Sequence, residues 1–79
     1  MNIGEAIDVL HTGGRVERTG WNGKGIWLAL QVPDEHSKMT LPYIYIEYPV
    51  GHSACREGCR VPWHASQTDI LANDWVEVI

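Results

Sequence analysis

The stretch Ile26-Trp-Leu-Ala-Leu-Gln-Val32 decides the fold prediction. It is long, mostly apolar and free of Gly and Pro, and Pro33 follows it directly. An uninterrupted apolar run bounded by a chain breaker is typical of a strand that is covered by other parts of the protein. We therefore expect residues 26–32 to form the central strand of a sheet.

The residues before this strand predict a helix and a short strand. Asn2 is a favoured N-cap, and Glu5 stands where it completes a capping box. The pattern ends at Gly13 and Gly14, residues that suit a helix C-terminus. Charged residues alternate with Val16 over residues 15–18, which predicts an edge strand. The apolar positions at helical spacing are Ile3, Ala6, Ile7 and Leu10.

Further strands and a short helix are predicted after the central strand. Residues 43–48 (Tyr-Ile-Tyr-Ile-Glu-Tyr) and 75–79 (Trp-Val-Glu-Val-Ile) alternate as strands do. Residues 49–60 have the composition of a loop, and a helix is expected to begin at Ser66, with Asp69 at its N3 position. The predicted class is α+β, with an N-terminal helix packed on a small antiparallel β-sheet and a short second helix before the C-terminal strand. The whole of residues 1–79 is expected to be a single ligand-binding domain.

Composition excludes several functions. The chain has 79 residues, and six Lys and Arg against ten Asp and Glu give a net charge of −4. An acidic balance disfavours binding to DNA or RNA polymers, which needs a basic surface. No apolar run approaches the roughly 20 residues that span a bilayer, so we expect a cytoplasmic protein that does not contact membranes. A domain this small leaves about 35–40% of its unfolded-chain surface exposed, which favours either a staple or a partner subunit.

The glycine-rich residues 20–25 invite a phosphate-binding interpretation. Their spacing fits neither the dinucleotide-binding motif nor the P-loop. What remains is a turn with exposed backbone N–H groups, flanked by Trp21 and Trp27. Such a turn can hold an anion while an indole stacks on a base, or it can be an ordinary connection between strands.

Four residues between positions 52 and 64 are potential zinc ligands, namely His52, Cys55, Cys59 and His64. Two thiols and two imidazoles suit tetrahedral zinc, and a metal would stabilise so small a domain. However, the spacing is not that of a standard zinc finger. A cytosolic compartment keeps thiols reduced, so free cysteines are favoured over both a metal site and a Cys55–Cys59 disulfide.

His64, Ser66 and Asp69 are the residue types of a hydrolytic triad. They lie within six consecutive residues, whereas triads are assembled from separate segments. The sequence Ser66-Gln-Thr-Asp69 fits a helix N-terminus better, and the leading N–H groups of such a helix can also meet a ligand anion.

Two blocks of the chain are similar to a known family. They are Gly20-Trp-Asn-Gly-Lys-Gly-Ile-Trp27 and Val61-Pro-Trp-His-Ala-Ser-Gln-Thr-Asp-Ile-Leu-Ala-Asn-Asp-Trp75. The opening Asn2-Ile-Gly-Glu-Ala-Ile7, followed by Gly14-Arg-Val16 and Arg18, is similar as well. Together these residues resemble the Thoeris anti-defense protein type two family of small phage and prophage proteins. The resemblance is broken only between about residues 33 and 60.

The resemblance implies a non-catalytic function in an infected bacterial host. Members of the family are sponges that bind the cyclic nucleotide messenger of an anti-phage system and keep it from its effector. The implied ligand is a glyco-cyclic ADP-ribose, with cyclic dinucleotides for some relatives. The resemblance also implies an α+β fold assembled into a homotetramer with ligand at subunit interfaces. No cofactor or metal is expected.

The residues that match the family's motifs are the expected ligand-binding residues. By this match Trp21 stacks on adenine, Ser66 and Thr68 contact phosphate or ribose hydroxyls, and Asp69 accepts from ribose or the base edge. Trp27 either adds an aromatic wall or packs in the core. Residues 48–60 match no binding motif of the family. The full expected set is Trp21, Asn22, Lys24, Trp27, Ala65, Ser66, Gln67, Thr68 and Asp69.

The net charge gives one expectation about which cations lie near the ligand. Two other functions remain as alternatives to sequestration. Because an acidic chain repels an anionic ligand, Lys24, Arg15 or Arg18 should lie close to the phosphates. The first competitor is a hydrolase that degrades a signalling nucleotide, with Asp69 or His64 as general base. The second is the zinc-stapled interaction module described above.

Overall fold

The computed structural model describes residues 1–21 and 25–79. Its first element, α1 (Ile3–His11), begins at the predicted cap. The Asn2 side chain accepts from the Glu5 amide at 2.9 Å, and the Glu5 carboxylate accepts from the Asn2 amide at 3.0 Å. The helix ends at Thr12, after which Gly13 takes a φ of +88° that an L side chain rarely adopts. The capping box and the glycine stop are both confirmed.

One antiparallel sheet follows the helix, as predicted. Its strands are β1 (Arg15–Arg18), β2 (Trp27–Gln31), β3 (Tyr43–Tyr48), β4 (Cys59–Pro62) and β5 (Trp75–Val78). The second helix, α2 (Gln67–Leu71), lies between β4 and β5. The strand order is β4-β3-β2-β1-β5, and every neighbouring pair is antiparallel. The strand expected to be central, β2, is the middle strand of the five.

Two expectations for the sheet were wrong. Residues 15–18 were expected at an edge, yet β1 lies between β2 and β5. Its alternation is compatible with an interior position because Val16 is fully buried and the charge of Arg18 is paired with two carboxylates, those of Asp69 and Asp74. The strand β4 falls partly in residues 49–60, which were expected to be loop. It is an edge strand of four residues, mostly exposed, so no apolar run marks it in the sequence.

The two faces of the sheet differ. Cross-strand partners share a face, so Val16, Leu28 and Ile46 point to the same side. On that side α1 packs on β1, β2 and β5. It leaves the same face of β3 and β4 open beside it. The fully or nearly fully buried core residues under the helix are Ala6, Leu10, Val16, Leu28 and Trp75.

The opposite face carries Trp27 and Tyr45, whose ring centroids are 6.3 Å apart. The Arg15 guanidinium carbon lies 4.9 Å from the centroid of the Trp27 ring. No helix within residues 1–21 and 25–79 packs on this face.

Candidate ligand-binding site

The beginning of α2 fixes the carboxylate of Asp69. Ser66 is the N-cap, its hydroxyl accepts from the Asp69 amide at 3.1 Å, and the Asp69 carboxylate accepts from the Ser66 amide at 3.2 Å. This second capping box confirms the predicted start of the helix. It also turns an acidic side chain inwards, because Asp69 keeps only 9% of its exposure.

Arg18 neutralises this buried carboxylate from the neighbouring strand. Its Nη1 donates to Asp69 Oδ1 and its Nε to Asp74 Oδ1, each at 2.8 Å. The second oxygen of Asp74 accepts from the Gly20 amide at 2.8 Å. One guanidinium therefore joins β1, α2 and the residue before β5. The Asp74 carboxylate also holds the chain as it leaves β1 towards Trp21.

Two indoles donate hydrogen bonds to Asp69, and a third packs beside them. The Nε1–H of Trp21 donates to Asp69 Oδ1 at 3.2 Å, and that of Trp75 donates to the Asp69 carbonyl at 3.0 Å. Trp21 and Trp63 both pack edge-on against Trp75, with centroid distances of 5.3 and 5.9 Å. Because Trp75 is fully buried, this cluster fixes the two outer indoles, Trp21 and Trp63, from beneath.

Trp21 and Trp63 form part of the wall of an open cleft of about 480 Å³. The cleft lies over the part of the helix-bearing sheet face that α1 leaves open. Its floor is apolar, and part of its lining comes from the end of β3 and the segment that follows it, which β2 separates from β1 and the Trp21 side. The lining residues are Trp21, Ile26, Ile46, Tyr48, His52, Val61, Pro62, Trp63, His64 and Asp69.

Comparison with known proteins gives the family. The model of the Thoeris anti-defense 2-like domain matches residues 1–78. A curated protein of Bacillus phage SP01 described as Thoeris anti-defense 2 is 38% identical over 81 aligned positions, covering 95% of this chain and 91% of that protein. The chain belongs to the Thoeris anti-defense 2-like family. The resemblance drawn from the two tryptophan-bearing blocks is thereby confirmed.

The structure of this Thoeris anti-defense 2-like chain brings some of the expected site residues together. Trp21 and Asp69 both line the cleft. Ala65, Ser66, Gln67 and Thr68 are exposed at the start of α2, and the hydroxyls of Ser66 and Thr68 are 2.8 Å apart. Whether each contacts a ligand stays a prediction. Asn22 and Lys24 lie outside the described residues.

Two other residues that were expected to contact the ligand are not free to do so at this cleft. Trp27 is on the far face of the sheet, next to Arg15. Arg18 is near the cleft, but its guanidinium is engaged by Asp69 and Asp74. The Asp69 carboxylate in turn accepts hydrogen bonds from Arg18, Trp21 and Ser66. The Arg18 guanidinium and the Asp69 carboxylate are therefore bonded to other protein groups, and their clearest role is to fix the shape of the cleft.

Tyr48 and His52 line the cleft but were not among the residues predicted from the sequence. Tyr48 lies two residues beyond Ile46 in β3, so the strand's alternation places it on the cleft face. The two-residue alternation of residues 43–48 could therefore have identified Tyr48 from the sequence. His52 follows in the turn after β3, where no periodicity indicates which way a side chain points. Only the folded backbone reveals that its ring lines the cleft.

The competing chemistries receive no support from the geometry. Within the described ranges, no three His, Cys, Asp or Glu side chains are grouped closely enough to hold a metal ion. The Ser66 hydroxyl bonds to Thr68 and to the Asp69 amide, and not to His64, in the described hydrogen bonds. The neighbouring Cys55 thiol, together with burial, raises the pKa of Cys59 to about 11, so this thiol is protonated near neutral pH.

Both helices within residues 1–21 and 25–79 lack the length and apolar character that spanning a bilayer requires.

The aspartates around Arg18 make stability depend on pH. Burial would raise the pKa of Asp69, but hydrogen bonds from Arg18, Trp21 and Ser66 outweigh it and hold the pKa below its ordinary value of 3.8. The hydrogen bond from Arg18 likewise lowers the pKa of Asp74 below 3.8, against some desolvation. A carboxyl with a depressed pKa stabilises the fold above its unfolded-state pKa, and that contribution is lost as the pH falls through the folded-state value.

We therefore expect the urea midpoint of unfolding to fall as the pH drops below about 4. The Asp74→Asn variant removes one of the two titrating groups, so its midpoint should fall less steeply over the same range. The measurement is urea unfolding followed by tryptophan fluorescence at fixed protein concentration. Equal slopes for the two proteins would contradict the assigned role of Asp74.

Proposed function

We propose that the chain binds a cyclic nucleotide messenger of the Thoeris system and sequesters it without degrading it. The first candidate ligand is a glyco-cyclic ADP-ribose, and cyclic dinucleotides are a second class. The observation that carries the proposal is the open cleft of about 480 Å³ between the Trp21–Trp63 wall and the Tyr48–His52 wall. Pockets of this size hold small-molecule ligands in other proteins.

The aromatic wall supports a nucleobase. Stacking on an aromatic side chain contributes about 1–3 kcal/mol per base and tolerates different bases. Trp21 is half-buried, packed on Trp75 and bonded to Asp69, so it is held in place before any ligand arrives. Little conformational entropy remains to be lost on binding, which favours high affinity.

Sequestration fits the site better than hydrolysis. A general base works best when its pKa lies near the working pH. The pKa of Asp69 is instead lowered, and its carboxylate is held by Arg18 and the Trp21 indole. A binder that acts by mass action needs only a dissociation constant well below the messenger concentration, about nanomolar or near −12 kcal/mol.

The proposal includes a cytoplasmic location in the infected host and a homo-oligomer, for which we favour a tetramer. Support comes from the sheet face opposite α1, which exposes the half-buried rings of Trp27 and Tyr45. A partner on this face would bring further apolar surface out of water, which a domain of this size needs. Trp27 would then reach a ligand only through a neighbouring copy.

The test is a binding and recovery experiment. Purified protein is titrated with glyco-cyclic ADP-ribose by calorimetry, the protein is then denatured, and the released ligand is chromatographed. We expect tight binding and recovery of the intact messenger. Cleaved product would establish a hydrolase, and absence of heat and of thermal stabilisation with both glyco-cyclic ADP-ribose and cyclic dinucleotides would reject the proposed function.

A further inference from the structure

The polar groups at the Trp21 end of the cleft already form hydrogen bonds within the protein. Asp69 accepts from Arg18, Trp21 and Ser66, so its carboxylate and the Trp21 N–H are both engaged. Arg18 brings one positive charge to the two carboxylates of Asp69 and Asp74, so this end of the cleft keeps an excess of negative charge beside the aromatic wall. An anionic group of a ligand is disfavoured there, whereas a neutral base is not.

The wall across the cleft has a different character. Tyr48 ends β3, and His52 follows in the turn that leads back to β4. Both lie on the β3–β4 side of the sheet, and β2 separates them from β1, the strand that carries Arg18. The His52 ring packs on the Tyr48 ring at a centroid distance of 5.1 Å and an interplanar angle of 43°.

The turn holds His52 firmly in one orientation. Its amide donates to the Pro49 carbonyl and its carbonyl accepts from the Cys55 amide, both at 3.1 Å. The Ala54 amide donates to His52 Nδ1 at 3.0 Å. Since Nδ1 accepts a hydrogen bond, the proton of the neutral ring is on Nε2. The imidazole, which lines the cleft, therefore has its N–H donor at Nε2.

We propose that His52 recognises a phosphate oxygen of the bound nucleotide through Nε2–H, while the base stacks at the Trp21–Trp63 wall. This inference rests on the proposed function and adds an orientation of the ligand across the cleft. The phosphate lies away from Asp69 and towards a half-buried, partly solvated rim, where its charge keeps some hydration. The residue lies in the segment that matches no binding motif of the family.

Two substitutions separate the donor from its structural surroundings. His52→Phe keeps a ring to pack on Tyr48 but has no N–H. His52→Asn keeps a side-chain oxygen that accepts from the Ala54 amide, as asparagine does in such turns, but its amide nitrogen then stands in the place of Cδ2, so no N–H occupies the position of Nε2. Ser53→Ala, at the exposed neighbour, is the matched control.

The probes are glyco-cyclic ADP-ribose and adenosine, a nucleoside without phosphate, measured by calorimetry and by ligand-observed NMR. We expect both His52 variants to bind glyco-cyclic ADP-ribose about tenfold more weakly, because a hydrogen bond to a charged group is lost, and to bind adenosine as the parent does. The Ser53 variant should match the parent with both probes.

Three results would overturn the inference. Unchanged affinity of both His52 variants for glyco-cyclic ADP-ribose would remove His52 from recognition. An equal loss for adenosine would mean that the turn, and not a phosphate contact, had been altered. Retained affinity in His52→Phe would show that no N–H is needed at this position, and retained affinity in His52→Asn would show that the donor is not Nε2–H. If the parent chain bound no nucleotide at all, the proposed function would fail first, and that failure is visible before any variant is made.

Discussion

Replacing Arg18 with Met should lower the free energy of unfolding by about 1–3 kcal/mol, the cost of leaving a buried charged group without its partner. The methionine keeps much of the apolar stem but removes the donors to Asp69 and Asp74, both at 2.8 Å. The Asp69 side chain retains only 13% of its exposure, so water cannot fully replace the guanidinium. For a domain of this size the loss corresponds to roughly 10 °C in melting temperature.

Arg60→Met is the matched control for this prediction. Arg60 also pairs with a carboxylate, that of Glu47 at 2.6 Å, but its own side chain is 65% exposed. Exposed ion pairs contribute little, so its denaturation midpoint should equal that of the parent within error. Both variants are compared by urea unfolding at one protein concentration, since assembly alters apparent stability. A loss of equal size in both would show that the burial of Asp69 does not matter.

The Trp21→Ala variant should bind the cyclic nucleotide about a hundredfold more weakly than the parent, because the stacking surface of the proposed site is removed. The indole also holds Asp69 Oδ1 at 3.2 Å and packs on Trp75. Part of the effect therefore comes from a less ordered wall. Calorimetry with glyco-cyclic ADP-ribose gives the affinity, and circular dichroism checks that the sheet is retained.

The Trp21→Phe variant divides the two contributions. It keeps an aromatic face for the base but cannot donate to Asp69. We expect an affinity between those of the parent and Trp21→Ala. If the alanine variant were folded and bound the messenger as tightly as the parent, the stacking assignment would be wrong, and the base would have to lie elsewhere.

Local signals in the sequence predicted most of the fold. The capping boxes at Asn2 and Ser66 depend only on residues three positions apart, so both are visible in the sequence. The alternation of residues 43–48 and 75–78 likewise follows from the two-residue repeat of a strand. By contrast, β4 is short and exposed at an edge, where pairing with β3 rather than any apolar pattern makes it a strand.

The site was less predictable because it depends on pairing between distant segments. Arg18 was expected near phosphate, but its partners Asp69 and Asp74 lie 51 and 56 residues away in the chain. No residue near Arg18 in the sequence indicates that its guanidinium forms ion pairs with two carboxylates. Trp21, whose block matches the family, lines the cleft, and its contact with a ligand stays a prediction. The position of His52 depends on how the turn after β3 folds back.

The two walls of the cleft differ in how freely evolution can alter them. Trp21 and Trp63 pack against the hydrophobic core, so a phage that changed them would weaken the domain together with its binding site. Residues 49–58 contribute no side chain to that core. If the cleft binds a Thoeris messenger as proposed, we expect a change of messenger in the host to be met first by substitutions in this segment, where new side chains carry little risk to the stability of the domain.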